Sequence, residues 1–72
     1  MKIPSFYIFG DKPVKFVKTH DNGMDIQAFD WDKKDFVRDM SYLSRWWNGD
    51  NMEEVAEEEF NAYVEKLKNG EI

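Results

Sequence analysis

Phe16-Val17-Lys18-Thr19-His20-Asp21-Asn22-Gly23-Met24-Asp25-Ile26-Gln27-Ala28-Phe29 reads as two extended runs joined by a reversal of the chain. Asn-Gly supplies the two positive-φ residues that a type I′ hairpin turn requires. Taking Asn22-Gly23 as a two-residue loop fixes the register by counting. Asp21 then faces Met24, His20 faces Asp25, Thr19 faces Ile26 and Val17 faces Ala28. Phe16 meets Phe29, Lys15 meets Asp30 and Val14 meets Trp31. Rings, β-branched residues and opposite charges are thereby paired, as stabilises a sheet.

Working outward, Gly10-Asp11-Lys12-Pro13 and Asp32-Lys33-Lys34-Asp35 are the neighbouring turn sequences. They imply Phe9 opposite Val14, Tyr7 opposite Phe16, Trp31 opposite Phe36 and Phe29 opposite Arg38. The expected result is an antiparallel three- to four-stranded β-meander over about residues 5–40. Tyr7, Phe9, Val14, Phe16, Phe29, Trp31 and Phe36 gather on one face, which something must cover.

The second half supplies the cover. Ser41 as N-cap and Asn48-Gly49 as stop frame a short helix over about residues 42–48, with Tyr42, Leu43, Trp46 and Trp47 forming i, i+4 pairs. Asp50, with Glu53 three residues on, resembles a capping box for a longer C-terminal helix over about residues 51–69. Met52, Val55, Ala56, Phe60, Tyr63, Val64 and Leu67 give that helix an apolar stripe, and Asn69-Gly70 ends it. The alternative is a strand over 52–55 added to the sheet, followed by a helix over 56–69. Ala56 is a poor N-cap, which favours the continuous helix. The expected fold class is α+β, with residues 1–72 forming a single domain.

A chain of 72 residues buries a modest core, and with no cysteine it has no disulfide or zinc-thiolate to reinforce it. Aromatic residues, 17% of the chain, must hold it by packing. No signal-peptide pattern or membrane-spanning apolar run is present, so a cytoplasmic location is expected. Charge is polarised. Residues 1–47 carry eight Lys/Arg and seven Asp/Glu, a net of +1, and residues 48–72 carry two and eight, a net of −6. That balance argues against direct nucleic-acid binding and against docking on anionic membranes.

Few residues suggest chemistry. His20, Asp21 and Asp25 form the one cluster that resembles a ligand set, but a second histidine and a nucleophile are missing; a solvated turn accounts for them. Asp30, Asp32 and Asp35 fail the calcium-loop spacing, and Lys33 and Lys34 would repel a cation. No phosphate-binding, dinucleotide, nucleophile-elbow or metalloprotease motif occurs. No catalytic residue, metal site or cofactor is therefore expected.

Binding is the remaining reading. Adjacent Trp46 and Trp47 point about 100° apart on a helix, so one of them should be partly exposed. Glu53, Glu54, Glu57, Glu58 and Glu59 form an acidic ridge suited to a basic surface on a partner. The expected function is a small non-enzymatic protein-interaction module, such as an inhibitor, modulator or immunity-type protein. Trp46, Trp47, Glu53, Glu54, Glu57 and Glu58 are its expected contact residues. The alternative is a structural or self-assembling protein that acts as a homodimer.

Overall fold

The computed structural model describes residues 3–49 and 51–70. In chain order these form β1 (Ser5–Phe9), β2 (Lys12–Lys18), β3 (Met24–Asp30), β4 (Asp35–Arg38), α1 (Tyr42–Asn48), β5 (Met52–Val55) and α2 (Glu57–Lys68). The five strands make one antiparallel sheet in the order β4-β3-β2-β1-β5. The α+β class and the meander agree with the sequence, as does α1 over 42–48.

The central hairpin does not have the expected register. Phe16 pairs with Ile26, Val14 with Ala28 and Lys15 with Gln27. The loop has three residues, His20-Asp21-Asn22, closed by the Thr19 N–H donating to the Gly23 carbonyl at 3.0 Å. A type I′ turn needs positive φ at both central residues; Asn22 adopts it (φ 65°) but Gly23 does not. Thr19 supplies the reason. Its hydroxyl accepts the Gly23 N–H at 2.9 Å and donates to the Asp21 carboxylate, which draws the loop open by one residue.

An odd shift in register moves one strand's side chains to the opposite face. Phe16 and Phe29 therefore lie on opposite sides of the sheet, not together as the Asn22-Gly23 loop implied. The front face carries Tyr7, Phe9, Val14, Phe16, Ile26 and Ala28, all buried, with Tyr42 of α1 packed on them. On the back face Phe29 packs with Phe60, Val64 and Leu67 of α2, flanked by Phe6, Phe36, Val55 and Tyr63. Each face thus has its own helix, where both helices had been expected on one aromatic side. Burying apolar side chains on both faces removes more surface from water, at roughly 25 cal/mol per Å², than a single aromatic face would.

The outer turns also differ. Gly10 has φ 65° and Asp11 does not, the Gly-first pattern of a II′ turn. That two-residue loop sets Tyr7 opposite Val14 and Phe9 opposite Lys12. Between β3 and β4, the Asp30 carboxylate accepts the N–H groups of Asp32 (2.8 Å) and Lys33 (3.1 Å), ending the strand early. Phe29 consequently pairs with Phe36. Trp31 falls in the turn, 44% exposed, and is not a core residue.

Residues 52–55 are a strand and not the first turn of a helix. β5 pairs with β1, Phe6 opposite Val55 and Phe9 opposite Met52, and so covers an otherwise free strand edge. Met52 packs on the front cluster and Val55 on the back one. The capping role assigned to Asp50 lies outside the described residues. Helix α2 starts after an extended Ala56 that makes no side-chain cap. Glu57, Glu58 and Glu59 in its first turn and Lys66 and Lys68 in its last favour it through the helix dipole.

Candidate functional site

Helix α1 is short and held from both ends. Ser41 does not cap it with its own side chain; instead its N–H donates to the Asp39 carboxylate at 3.1 Å. Gly49, in the left-handed region at φ 72°, ends it by donating to the carbonyls of Arg45 and Trp46. Between these anchors, Tyr42 and Trp46 share the face turned to the sheet. The Tyr42 ring meets Phe9 edge-on at 5.1 Å, and Trp46 lies 6.2 Å from Phe16. The Trp46 indole N–H donates to the Tyr7 hydroxyl at 3.1 Å, so its polar atom is satisfied.

The other i, i+4 pair of α1, Leu43 and Trp47, is left outward. Trp47 is 79% exposed and Leu43 38%. Of the two adjacent tryptophans, Trp46 is therefore the packed one and Trp47 the free one. Met40, three residues before Leu43, is 39% exposed and extends the stripe. Together with Trp46, and with Met24 and Ile3 from the end of the sheet, these side chains line an open groove of about 700 Å³. Ser44 is the one hydroxyl in its wall. Such a surface accepts apolar side chains, and methionine lets it adapt to their shape.

Charged side chains also lie on this side of the sheet: Lys12 and Arg45 sit over the Tyr42 ring, at 5.9 and 5.0 Å from its centroid. Lys18 lies across the strand pair from Met24, and Glu54 lies across from Tyr7, the partner of Trp46. The other acidic candidates are elsewhere. Glu53 points to the back face opposite Ile8, while Glu57 and Glu58 sit in the first turn of α2. The ridge expected along one helix is thus divided between a strand and a helix, and among the described residues no glutamate lines the groove.

The His20 cluster is not assembled. His20 is exposed in the hairpin loop, and Asp25 stands opposite Val17, not opposite His20. Asp25 instead pairs with the Arg38 guanidinium at 2.8 Å. Asp21, held by the Thr19 hydroxyl and then by the Gly23 N–H, has its carboxyl below the usual range. The Lys33 N–H does the same for Asp30. Among the described residues, no three His, Cys, Asp or Glu side chains are grouped so as to hold a metal ion. Nor is any helix there long and apolar enough to cross a membrane.

Three groove residues, Ile3, Met24 and Met40, did not stand out in the sequence as contact residues, and Leu43 was read only as part of the apolar face of the short helix. The signal available was Met40-Leu43-Trp47 at i, i+3 and i+7, an apolar stripe that continues outward once Tyr42 and Trp46 face in. Comparison of the chain with protein-family models, with curated proteins and with solved structures returns no match.

Proposed function

We propose that the chain is a small, non-enzymatic protein-interaction module of the cytoplasm, an inhibitor, modulator or immunity-type protein. It binds its partner through the α1 surface, with Trp47 as anchor. The observation that carries this reading is the 79% exposure of Trp47 beside an apolar groove. Tryptophan is enriched among the residues that dominate binding energy. A side chain this exposed contributes little to the fold and is free for a partner. The net charge of −5, concentrated after residue 48, draws a basic partner toward the surface.

The test is affinity capture from lysate with wild type, Trp47→Ala and a Glu53/Glu57/Glu58→Gln triple variant in parallel. Wild type is expected to retain a partner that Trp47→Ala loses and the triple variant holds more weakly at physiological salt. Equal recovery by wild type and Trp47→Ala refutes the role of Trp47. The competing reading is a homodimer closed through the same stripe. It requires sedimentation velocity to show a dimer that Trp47→Ala dissociates.

A further inference from the structure

We infer that the free edge of β5 takes an antiparallel strand of the partner, with lysine or arginine opposite Glu53 and Glu54. This rests on the reading of a module with a basic partner, and adds a second contact to the one made by Trp47. The phase of the ladder decides which groups are on offer. The Gly10 N–H donates to the Asn51 carbonyl at 2.8 Å. Bonded and non-bonded pairs alternate along an antiparallel ladder, so Glu53 and Val55 also bond to β1, opposite Ile8 and Phe6. Met52 and Glu54 then turn their N–H and C=O groups outward. Among the described residues nothing bonds to them.

The opposite edge of the sheet is different. At β4 the Asp39 N–H donates to the Ile26 carbonyl at 2.9 Å, which turns Phe36 and Arg38 outward. The Phe36 N–H is already taken by the Asp35 carboxylate at 2.8 Å. A strand added at β4 has to displace that bond, whereas at β5 both outward residues are open. In strand addition the main chain supplies affinity and the alternate side chains supply specificity.

Charge sets the occupant. Glu54 projects to the front face and Glu53 to the back, across from Tyr7 and Ile8, so both sides of an added strand meet a carboxylate. Glu57, Glu58 and Glu59 follow in the first turn of α2. The cations Lys12 and Arg45 lie over the Tyr42 ring, which packs on Phe9, the neighbour of Met52. The ligand residue opposite Met52 is therefore apolar, and its cations fall opposite Glu53 and Glu54. Lys12 lies three strand spacings from the added strand, roughly 14 Å, beyond the screening length of about 8 Å. A second copy does not suit this edge. Two β5 strands paired across a two-fold at the strand's middle set Glu53 or Glu54 against its own copy, and like charges directly opposite destabilise a sheet.

The probe is the peptide Thr-Val-Lys-Lys-Val-Thr, blocked at both ends and titrated into the isotope-labelled full chain. Aligned on Val55 to Met52, its first lysine meets Glu54 and its second valine meets Met52. Methylating those two backbone nitrogens removes the N–H groups that bond to β5. Methylating the first valine and second lysine instead changes N–H groups that face away. Binding is read as shifts and slowed exchange of the Met52 and Glu54 amides. The first methylated peptide is expected to bind at least about tenfold more weakly than the parent, and the second within about twofold of it. Glu54→Lys should weaken the parent by about threefold, in the range of an exposed ion pair. Glu65→Lys, the same change in net charge on α2, should have a smaller effect.

Equal binding of the two methylated peptides overturns the inference, as does protection at Phe36 and Arg38 in place of Met52 and Glu54. Equal weakening by Glu54→Lys and Glu65→Lys also overturns it. Lysate capture separates this failure from that of the module reading. A partner lost with Trp47→Ala but held equally by wild type and Glu54→Lys leaves the module standing and shows that the β5 edge is not its site.

Discussion

Replacing Phe60 by alanine tests whether the back of the sheet is a true second core. The ring is buried and lies 5.0 Å from Phe6 and 5.8 Å from Phe36, stacked on the latter. Truncating a buried phenylalanine costs about 3–5 kcal/mol. A chain of 72 residues has about 4–11 kcal/mol to lose at 0.05–0.15 kcal/mol per residue. Most of the stability should therefore go. With a urea dependence of about 1 kcal/mol per molar, the midpoint should fall by about 3 M or more. Far-ultraviolet circular dichroism follows the helices, and the Trp46 indole resonance reports the front face, where it packs on Phe16. Both signals should fall together, because the two clusters share one sheet. Asn61→Ala, exposed on the same helix, should change stability by no more than about 0.5 kcal/mol. A loss under about 1.5 kcal/mol for Phe60→Ala would refute the packing argument. A helix signal lost while the Trp46 environment persists would refute the coupling of the two faces.

Gly10→Ala should cost about 1–2 kcal/mol by thermal melting, because its φ of 65° is a left-handed conformation that L side chains resist. Thr19→Val should return the Asp21 carboxyl toward its ordinary pKa, read by carbon-detected titration. Because the folded value is depressed, the stability linked to Asp21 is present above the ordinary carboxylate range and is lost as pH falls through the depressed value; the variant should show less of that acid sensitivity. Tyr63→Phe removes a hydrogen bond from the hydroxyl to the Asp11 carbonyl at 2.6 Å and should cost about 1 kcal/mol in urea melts. Burial and then the Asp11 charge raise the Tyr63 pKa, so its contribution is full below the ordinary tyrosine value and is lost as pH rises through the raised one. The alkaline limb of stability should accordingly flatten in Tyr63→Phe.

The strands were legible because the turn residues punctuate them, and Phe60-Tyr63-Val64-Leu67 announced a helix by spacing alone. Pairing was less legible, because side-chain bonds in the loops set it. Thr19 and Asp30 each capture backbone N–H groups just past a strand end and so move the point at which the chain reverses. A count from Asn-Gly alone could not include them. Both possible registers place an apolar partner opposite Phe16, Phe29 in one and Ile26 in the other, so hydrophobic pairing did not discriminate. Residues 52–55 were ambiguous for a related reason: Met52 and Val55 are three apart, which suits one helical stripe or the two opposite sides of a strand. The unpaired edge of β1, invisible in local sequence, favours the strand. Trp47 was legible as one of an adjacent pair, but its groove depends on Ile3 and Met24, which only the folded sheet brings to α1.

The placement of β5 has a further consequence for how the molecule fails. β5 and α2 are consecutive, so if the last third of the chain peels away, the edge of β1 and the back of the sheet are bared in one event. The bared segment, Ser5-Phe6-Tyr7-Ile8-Phe9, is aromatic, β-favouring and uncharged, the composition that seeds cross-β stacking. In the closed state Glu53 and Glu54 stand along that border, and two copies meeting there would bring carboxylates together. The acidic strand is thus a shutter over the stickiest five residues of the chain, and aggregation should begin wherever it opens.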